Sequence, residues 1–252
     1  MIDYEKRGNV ALITINRPEA RNAVNGDVAE GIEAAIDKLE ADDEIWLGVL
    51  THEGPVFCAG ADLKAINSGD AGRLSTKTGG FGGITSKERT KPIIVAMNGP
   101  AYAGGCEIVL ACDLVVASTD AKFGVPEVKR NLVAAAGALF RLPKAMPKNL
   151  AMEMLLTGDP IDAQRAYEVG FVNRLAEPGK AVDVALEFAA QISENAPLAV
   201  RKSREIALKT YADDDAAFQD SMVAMGEVMS SEDTGEGLTA FIEKRKPNWK
   251  GR

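Results

Sequence analysis

Histidine, cysteine and aromatic residues are scarce in this chain of 252 residues. There is one histidine, His52, there are three cysteines, and aromatic residues make up 6% of the sequence. A Ser-His-Asp or Cys-His mechanism would depend entirely on His52, which ends the strand-like run IWLGVLTH, where we expect a solvated role. No Cys-x-x-Cys pair is present, and zinc would lack ligands. Acid–base chemistry is therefore left to carboxylates, lysines or tyrosines. So few aromatic rings also disfavour a two-carboxylate glycosidase.

Several other classes of function lack their usual signals. No phosphate-binding loop, dinucleotide fingerprint or G-x-S-x-G elbow occurs, and TGGFGG is followed by no Lys-Ser/Thr helix start. A net charge of −8 argues against a protein that coats nucleic acid. No apolar run is long enough to span a membrane, and the start of the chain has no export signal. With its cysteines interpreted as free thiols, we expect a cytoplasmic protein without a metal.

Apolar strand-like runs alternate with an amphipathic helix through the first half of the chain. The runs VALITINRP, IWLGVLTH, KPIIVAMNGP and DLVVAST are typical of buried strands, and GDVAEGIEAAIDKLEADD has its apolar residues at helical spacing. This order predicts an α/β layer structure with parallel strands. A polar, glycine-rich stretch over residues 66–90 is a candidate lid. Beyond Pro143 the pattern is mostly helical.

The segment AYAGGCEIVLACDLVV places the carboxylate of Glu107 in apolar surroundings, directly after two glycines. Burying a carboxylate is costly unless it has a partner. If Gly104 begins a helix, its N–H lacks an intrahelical acceptor, and glycine lets a ligand approach it closely. Glu107 lies three residues later and therefore on the same helical face. One short segment thus offers a hydrogen-bond donor and a carboxylate to the same small volume.

A second donor loop and a second carboxylate are predicted elsewhere. A glycine turn in FCAGADLK follows a strand and precedes a helix start, and Pro126 fixes the backbone in front of Glu127. Each feature alone is more often structural than catalytic. Together, two donors on one carbonyl and two adjacent carboxylates would stabilise an enolate and handle a proton or a water molecule at the neighbouring carbons.

The sequence resembles the crotonase superfamily, most closely its enoyl-CoA hydratase branch. The segments that carry the resemblance are ITINRPEARNAV, FCAGADLK, KPIIVAMNGPAYAGGCEIVLACDLVVAS, AKFGVPEV, LLTGDPIDAQRAYEVGFVNRL and EGLTAFIEKRKPNW. They extend over nearly the whole chain. The resemblance implies an α/β spiral of ββα units over residues 1–195, a C-terminal helical trimerisation region over residues 196–252, and a homotrimer or a dimer of trimers.

The resemblance also implies roles for individual residues. The N–H groups of Ala61 and Gly104 would hold the thioester carbonyl, while Glu107 and Glu127 would position a water molecule and transfer a proton as water adds across the 2,3 double bond of a 2-enoyl-CoA. Coenzyme A is part of that substrate, so no separate cofactor is expected. The positions that match coenzyme A contacts are Arg21, Ala23, Ala59, Asp62, Leu63 and Lys64, together with Phe241 and Lys244, which would reach the adenine end in a neighbouring subunit.

The chain departs from the family pattern after Glu127. The family commonly has glycine where this chain has Asn131, and Pro-Gly-x-Gly-Gly where residues 134–138 read AAAGA. These changes leave the identity of the substrate's acyl group undetermined. One alternative is an acyl-CoA isomerase or racemase of the carnitinyl-CoA dehydratase type, because relatives that retain both glutamates can dehydrate and rehydrate a substrate. Another is a non-catalytic scaffold trimer that contacts RNA through the basic C-terminal tail, although the acidic net charge argues against it. The basic residues of that tail are Lys244, Arg245, Lys246, Lys250 and Arg252.

Overall fold

The computed structural model describes residues 1–209 and 228–247, together with positions 219, 222, 223, 225 and 226. Within these residues the strands are β1 (Ile2–Arg7), β2 (Val10–Ile15), β3 (Leu47–His52), β4 (Ser75–Thr76), β5 (Gly80–Phe81), β6 (Ile93–Met97), β7 (Ala101–Tyr102), β8 (Leu114–Ser118), β9 (Lys122–Gly124), β10 (Ile161–Asp162) and β11 (Arg174–Ala176).

The helices of the described residues include three short 3-10 helices. The α-helices are α1 (Gly26–Ala41), α2 (Leu63–Asn67), α3 (Gly104–Ala111), α4 (Ala138–Ala145), α5 (Lys148–Thr157), α6 (Ala163–Glu168), α7 (Ala181–Ser193), α8 (Pro197–Lys209) and α9 (Glu232–Glu243). The 3-10 helices are Pro18–Ala20, Ala71–Leu74 and Pro126–Arg130.

The largest sheet has six strands in the order β1-β2-β3-β6-β8-β11, and every pair except β1-β2 is parallel. Its inner strands are apolar on both faces because both faces are covered. On β2, Ala11, Ile13 and Ile15 pack into the core that contains α1, while Val10 and Leu12 join a second core that contains α7. The predicted parallel α/β layer structure is therefore confirmed.

A small sheet in the order β10-β9-β7 brings two distant segments together. Strands β7 and β9 pair in parallel, and the N–H of Ala103 donates to the carbonyl of Gly124 at 2.9 Å. Glu107 lies in the helix that follows β7, and Glu127 lies in the 3-10 helix that follows β9. This pairing places the two carboxylates at the same end of the small sheet.

The polar stretch over residues 66–90 contains regular structure and packs against α1. It includes the 3-10 helix Ala71–Leu74 and the antiparallel pair β4-β5. A Cβ atom on Gly83 would overlap the carbonyl of Ala29, so glycine permits the close approach to α1. Its role as a lid stays a prediction.

The C-terminal helices α8 and α9 pack back on the sheet-containing part of the chain. On α8, Arg204 donates to Asp113 Oδ1 at 2.8 Å and to the carbonyl of Arg89 at 2.6 Å. Helix α9 packs against the 3-10 helix Pro126–Arg130. The predicted boundary between residues 195 and 196 falls between α7 and α8, and the trimerisation role of the second region stays a prediction. No helix of the described residues is long and apolar enough to cross a bilayer.

Candidate active site

The two predicted donor loops are in direct contact. Gly104 begins α3 as predicted, and Ala103 before it adopts a positive φ of 53° as the chain turns out of β7. A Cβ atom on Gly105 would overlap the carbonyl of Cys58, and one on Gly60 would lie 3.3 Å from the Gly104 nitrogen. Glycine is needed at these positions because the two backbones touch.

The N–H groups of Ala61 and Gly104 therefore belong to adjacent loops. Neither N–H has a hydrogen-bond acceptor among the residues that the structure describes. Gly104 occupies the first position of a helix, where the N–H lacks an intrahelical partner and carries partial positive charge. The pair could polarise a carbonyl oxygen placed between the loops. Their role as an oxyanion site stays a prediction.

Glu107 is buried on α3, with 3% of its surface exposed. Its Oε1 accepts a hydrogen bond of 3.1 Å from the N–H of Ala138, the first residue of α4. Burial raises the pKa of Glu107 to about 7, although the N–H groups of Ala138, Ala136 and Gly137 oppose that increase. These donors lie in the segment AAAGA. The segment therefore binds the carboxylate through its backbone N–H groups. Alanine in place of the family's glycine does not remove these donors.

Glu127 lies in the first turn of the 3-10 helix Pro126–Arg130, as the preceding proline suggested. Burial, followed by the charge of Glu107, raises the pKa of Glu127 to about 8, against a lowering effect of Arg130. Its Oε2 is buried with no hydrogen-bond partner among the described residues. Because the charge of Glu107 disfavours ionisation of Glu127, we expect one of the two carboxyl groups to keep its proton near neutral pH.

The segments that carry the predicted coenzyme A contacts meet beside these loops. The N–H of Ala59 donates to the carbonyl of Arg21 at 3.1 Å, and Val24 pairs with Ala61 in an isolated parallel bridge. Arg21 is exposed and adopts a positive φ of 53°. Ala23 follows in the same turn, so the structure brings these predicted contacts together, although their role in binding stays a prediction.

Asp62 has a structural function at this position. Its side chain caps α2 by accepting the N–H of Lys64 at 2.8 Å, and it forms an ion pair of 2.7 Å with Arg17. Burial is the largest single influence and raises the pKa of Asp62, but Arg17 and the N–H groups of Lys64 and Ala65 together outweigh it, so the pKa is lowered. Leu63 and Lys64 are exposed in the first turn of α2, where they remain available to a ligand.

Phe241 and Lys244 lie at the end of α9. The guanidinium of Arg130 lies 4.4 Å from the centre of the Phe241 ring, and Lys244 ends the helix with a φ of 54°. That they reach a neighbouring subunit's ligand stays a prediction. Of the basic tail, Arg245 forms ion pairs with Glu236 and Glu243. Lys250 and Arg252 lie outside the described residues.

The expectation of a solvated His52 is wrong. The side chain is buried, its Nε2 accepts the N–H of Asn98 at 3.0 Å, and its ring packs edge-on against Phe57. Burial lowers the pKa of His52. The whole of β3 is buried, and the turn at Asn98 covers its end, so the histidine serves as a neutral acceptor in the core.

Two residues of the site, Arg141 and Phe81, were not predicted from the sequence. Arg141 donates to the carbonyl of Thr85 at 2.7 Å, and its charge lowers the pKa of Glu107. The ring of Phe81 covers Gly104 so closely that a Cβ atom there would overlap it. The position of Arg141, the single arginine of the largely apolar helix α4, was a possible signal. No sequence pattern links Phe81 to Gly104. No group of three or more potential metal-ligating side chains occurs in the described part of the chain.

The fold, with its ββα connections and a pair of buried glutamates beside two donor loops, is that of a crotonase-type protein. The chain belongs to the enoyl-CoA hydratase/isomerase family, which it matches over residues 5–252.

Named relatives and solved structures match the chain over nearly its whole length. It is 38% identical to the short-chain-enoyl-CoA hydratase of Clostridium acetobutylicum, over 96% of this chain and 94% of that protein. It is 37% identical to the carnitinyl-CoA dehydratase of Proteus mirabilis, over 98% of this chain and 97% of that protein. The crystal structure of carnitinyl-CoA hydratase from Mycobacterium avium has a TM-score of 0.95 and 43% identity, over 100% of this chain and 98% of that one.

Proposed function

We propose that this protein is an enoyl-CoA hydratase, which adds water across the 2,3 double bond of a 2-enoyl-CoA to give a 3-hydroxyacyl-CoA. The observation that carries the proposal is the pair of buried glutamates, with pKa values raised to about 7 and about 8, beside two loops whose N–H groups have no acceptor among the described residues. Hydration needs a base and an acid together near neutral pH, and such a pair provides both.

The loops would bind the thioester carbonyl. Its oxygen would accept hydrogen bonds from the N–H groups of Ala61 and Gly104, and the partial positive charge at the start of α3 adds to their effect. Negative charge develops on this oxygen when a nucleophile attacks C3. Donors fixed in advance stabilise that charge more than the ground state, which lowers the barrier.

The glutamate pair would handle the proton. The ionised carboxylate takes a proton from water while the water oxygen bonds to C3, and the electrons of the 2,3 double bond move into the enolate. The protonated carboxyl group then gives its proton to C2. Because one proton leaves water and one reaches C2, the pair returns to its starting charge. No separate cofactor takes part, since coenzyme A belongs to the substrate.

The protein is proposed to act in the cytoplasm as a homotrimer or a dimer of trimers, with an acyl-CoA thioester rather than nucleic acid as its partner. Exposed large apolar side chains on the C-terminal helices support such an assembly, because an interface between subunits would remove them from water. The exposed examples are Leu198, Ile206, Leu238 and Ile242.

A panel of 2-enoyl-CoA esters with short, long and bulky acyl groups tests this function. We expect loss of the conjugated thioester absorbance and incorporation of labelled water oxygen at C3. Glu107→Gln and Glu127→Gln should each lower kcat by about 10²–10⁴-fold. Full hydration rates in both variants would contradict the proposal. Double-bond migration without label would instead indicate an isomerase.

A second candidate is a dehydratase of the carnitinyl-CoA type. It is favoured by the Mycobacterium avium structure and by the Proteus mirabilis relative, whose names refer to carnitinyl-CoA. The same two glutamates would remove water from that substrate in the reverse of the steps above. Comparing kcat/KM for carnitinyl-CoA and 3-hydroxybutyryl-CoA in dehydration distinguishes the two candidates, with Glu127→Gln as the inactive control for both.

A further inference from the structure

The two glutamates are held in different ways. The carboxylate of Glu107 accepts hydrogen bonds from backbone N–H groups at the start of α4, including Ala138 at 3.1 Å. Glu127 has a buried Oε2 with no partner among the described residues, and its own N–H is the one hydrogen bond that lowers its pKa. The position of Glu127 therefore depends on the 3-10 helix that carries it.

That helix, Pro126–Arg130, is a weak support when considered alone. It is five residues long, and 3-10 helices of this length are uncommon because their hydrogen bonds have poor geometry. It ends at Asn131, which has a φ of 54°, a conformation that asparagine tolerates better than other residues with a side chain. Contacts from outside the helix must therefore hold it in place.

Two residues at the end of this helix contact α9. Asn131 Nδ2 donates to Ser231 Oγ at 2.6 Å and to Thr234 Oγ1 at 3.2 Å, at the start of α9. Arg130 stacks on the ring of Phe241, near the end of α9, at 4.4 Å. The two contacts lie at opposite ends of one helix, so they fix both the position and the direction of the segment that bears Glu127.

The 3-10 helix also packs against α5. Lys129 forms an ion pair with Asp159, which follows that helix, and the side chain of Lys129 also packs against Gly158. This ion pair is exposed and contributes little by itself. The contacts with α9, which include the part-buried hydrogen bonds of Asn131, are therefore the better candidates for fixing Glu127.

We propose that Arg130 and Asn131 are positioning residues, which fasten the helix of Glu127 to α9 so that the C-terminal helix sets the separation of the two carboxyl groups. The inference rests on the proposed function. The family commonly has glycine at position 131, which keeps the backbone conformation but can make neither side-chain bond. The contact through Asn131 would thus be a feature of this chain.

Asn131→Gly is the sharpest test, because it removes the amide and retains the freedom to adopt a positive φ. We expect kcat for crotonyl-CoA to fall about 5- to 50-fold, since small misplacements of catalytic groups are costly, while KM stays within about twofold. The pH profile of kcat should also shift. Ser231→Ala should act in the same direction, and the double variant should be little worse than Asn131→Gly, because both remove the same bond.

Arg245→Gln is the matched control. It removes ion pairs of α9 with Glu236 and Glu243 without touching the 3-10 helix, so kcat and its pH profile should match the wild type. If Asn131 only stabilises the fold, Asn131→Gly will lower Tm but leave kcat and the pH profile unchanged well below Tm. That result would overturn the proposal.

Hydrogen exchange separates this inference from the proposed function. Without any substrate, Asn131→Gly and Ser231→Ala should each speed exchange of the amides of residues 127–132 and 231–241, whereas Arg245→Gln should leave residues 127–132 unchanged. If the wild type hydrates no enoyl-CoA but the variants show this exchange pattern, the proposed function is refuted and the link to α9 is retained. Unchanged exchange in Asn131→Gly would refute the link.

Discussion

Replacing Glu127 with glutamine should make the protein more stable at alkaline pH while it removes activity. Burial, with the charge of Glu107, raises the pKa of Glu127 from its ordinary 4.5 to about 8. Between these values the native protein holds a proton that the unfolded chain has lost. The free energy of unfolding therefore falls as the pH rises through this range.

The size of this effect follows from the same two values. At about 1.4 kcal/mol for each pH unit, ionising Glu127 in the folded protein costs at most about 5 kcal/mol, and water that enters the site lowers that figure. Glutamine has nearly the same shape and carries no charge. Between pH 6 and pH 9 the wild type should therefore lose roughly 2–3 kcal/mol more stability than Glu127→Gln.

Urea unfolding followed by circular dichroism at pH 6 and pH 9 measures this difference, at one fixed protein concentration because an oligomer's stability depends on it. Glu177→Gln alters an exposed glutamate and is the control. Its free energy of unfolding should change with pH as that of the wild type does. The reasoning is refuted if Glu127→Gln loses stability as steeply as the wild type. It is also refuted if the variant remains fully active, because a general acid or base contributes about 10²–10⁴-fold.

Three further predictions concern the site and its support. The pH profile of kcat/KM should be bell-shaped, with limbs near the coupled pKa values of about 7 and about 8, because the pair works with one proton; a flat profile over pH 6–9 would contradict this. Gly104→Ala should cost about 1–3 kcal/mol in thermal unfolding because its Cβ overlaps the Phe81 ring, and the same substitution should cost much less in a Phe81→Ala background, where the ring is absent. Lys91→Met should cost about 3 kcal/mol in urea unfolding, since the buried ammonium donates to three carbonyls at the end of α1, two of them at 2.8 Å.

Local sequence patterns were sufficient to predict a helix or strand whose formation depends mainly on its own residues. The apolar spacing of α1 gives its buried face, and Asn25 caps it by accepting the N–H of Val28 at 3.0 Å. Gly104 begins α3, and Asp62 caps α2 at the helix start expected after FCAGAD. Strand β1 was not predicted, because Ile2 and Tyr4 alternate with polar residues over only four positions before the charged Lys6 and Arg7; it is held as an edge strand by pairing with β2.

Residues whose surroundings come from distant parts of the chain were beyond those patterns. His52 looked solvated because it ends a strand, yet the turn at Asn98 buries it. The resemblance implies that Asp62 contacts coenzyme A, which stays a prediction, whereas its ion pair with Arg17, 45 positions earlier, could not be inferred from spacing. In each case the partner lies across a tertiary contact that carries no local signal.

The two glutamates illustrate the same limit within the site. Gly-Gly-x-Glu and Pro-Glu are common as local patterns, and nothing in either states that they meet. Their convergence depends on the short parallel pairing of β7 with β9, two residues on each strand, which spacing could not predict and which the resemblance to the crotonase superfamily supplied. What holds each carboxylate then differs: peptide N–H groups, including that of Ala138, 31 residues later, hold Glu107, and a helix near the C-terminus supports the segment of Glu127. Because the second support runs through Asn131, where the family commonly has glycine, the resemblance identifies the acid pair but does not predict how this chain fixes the distance between its members.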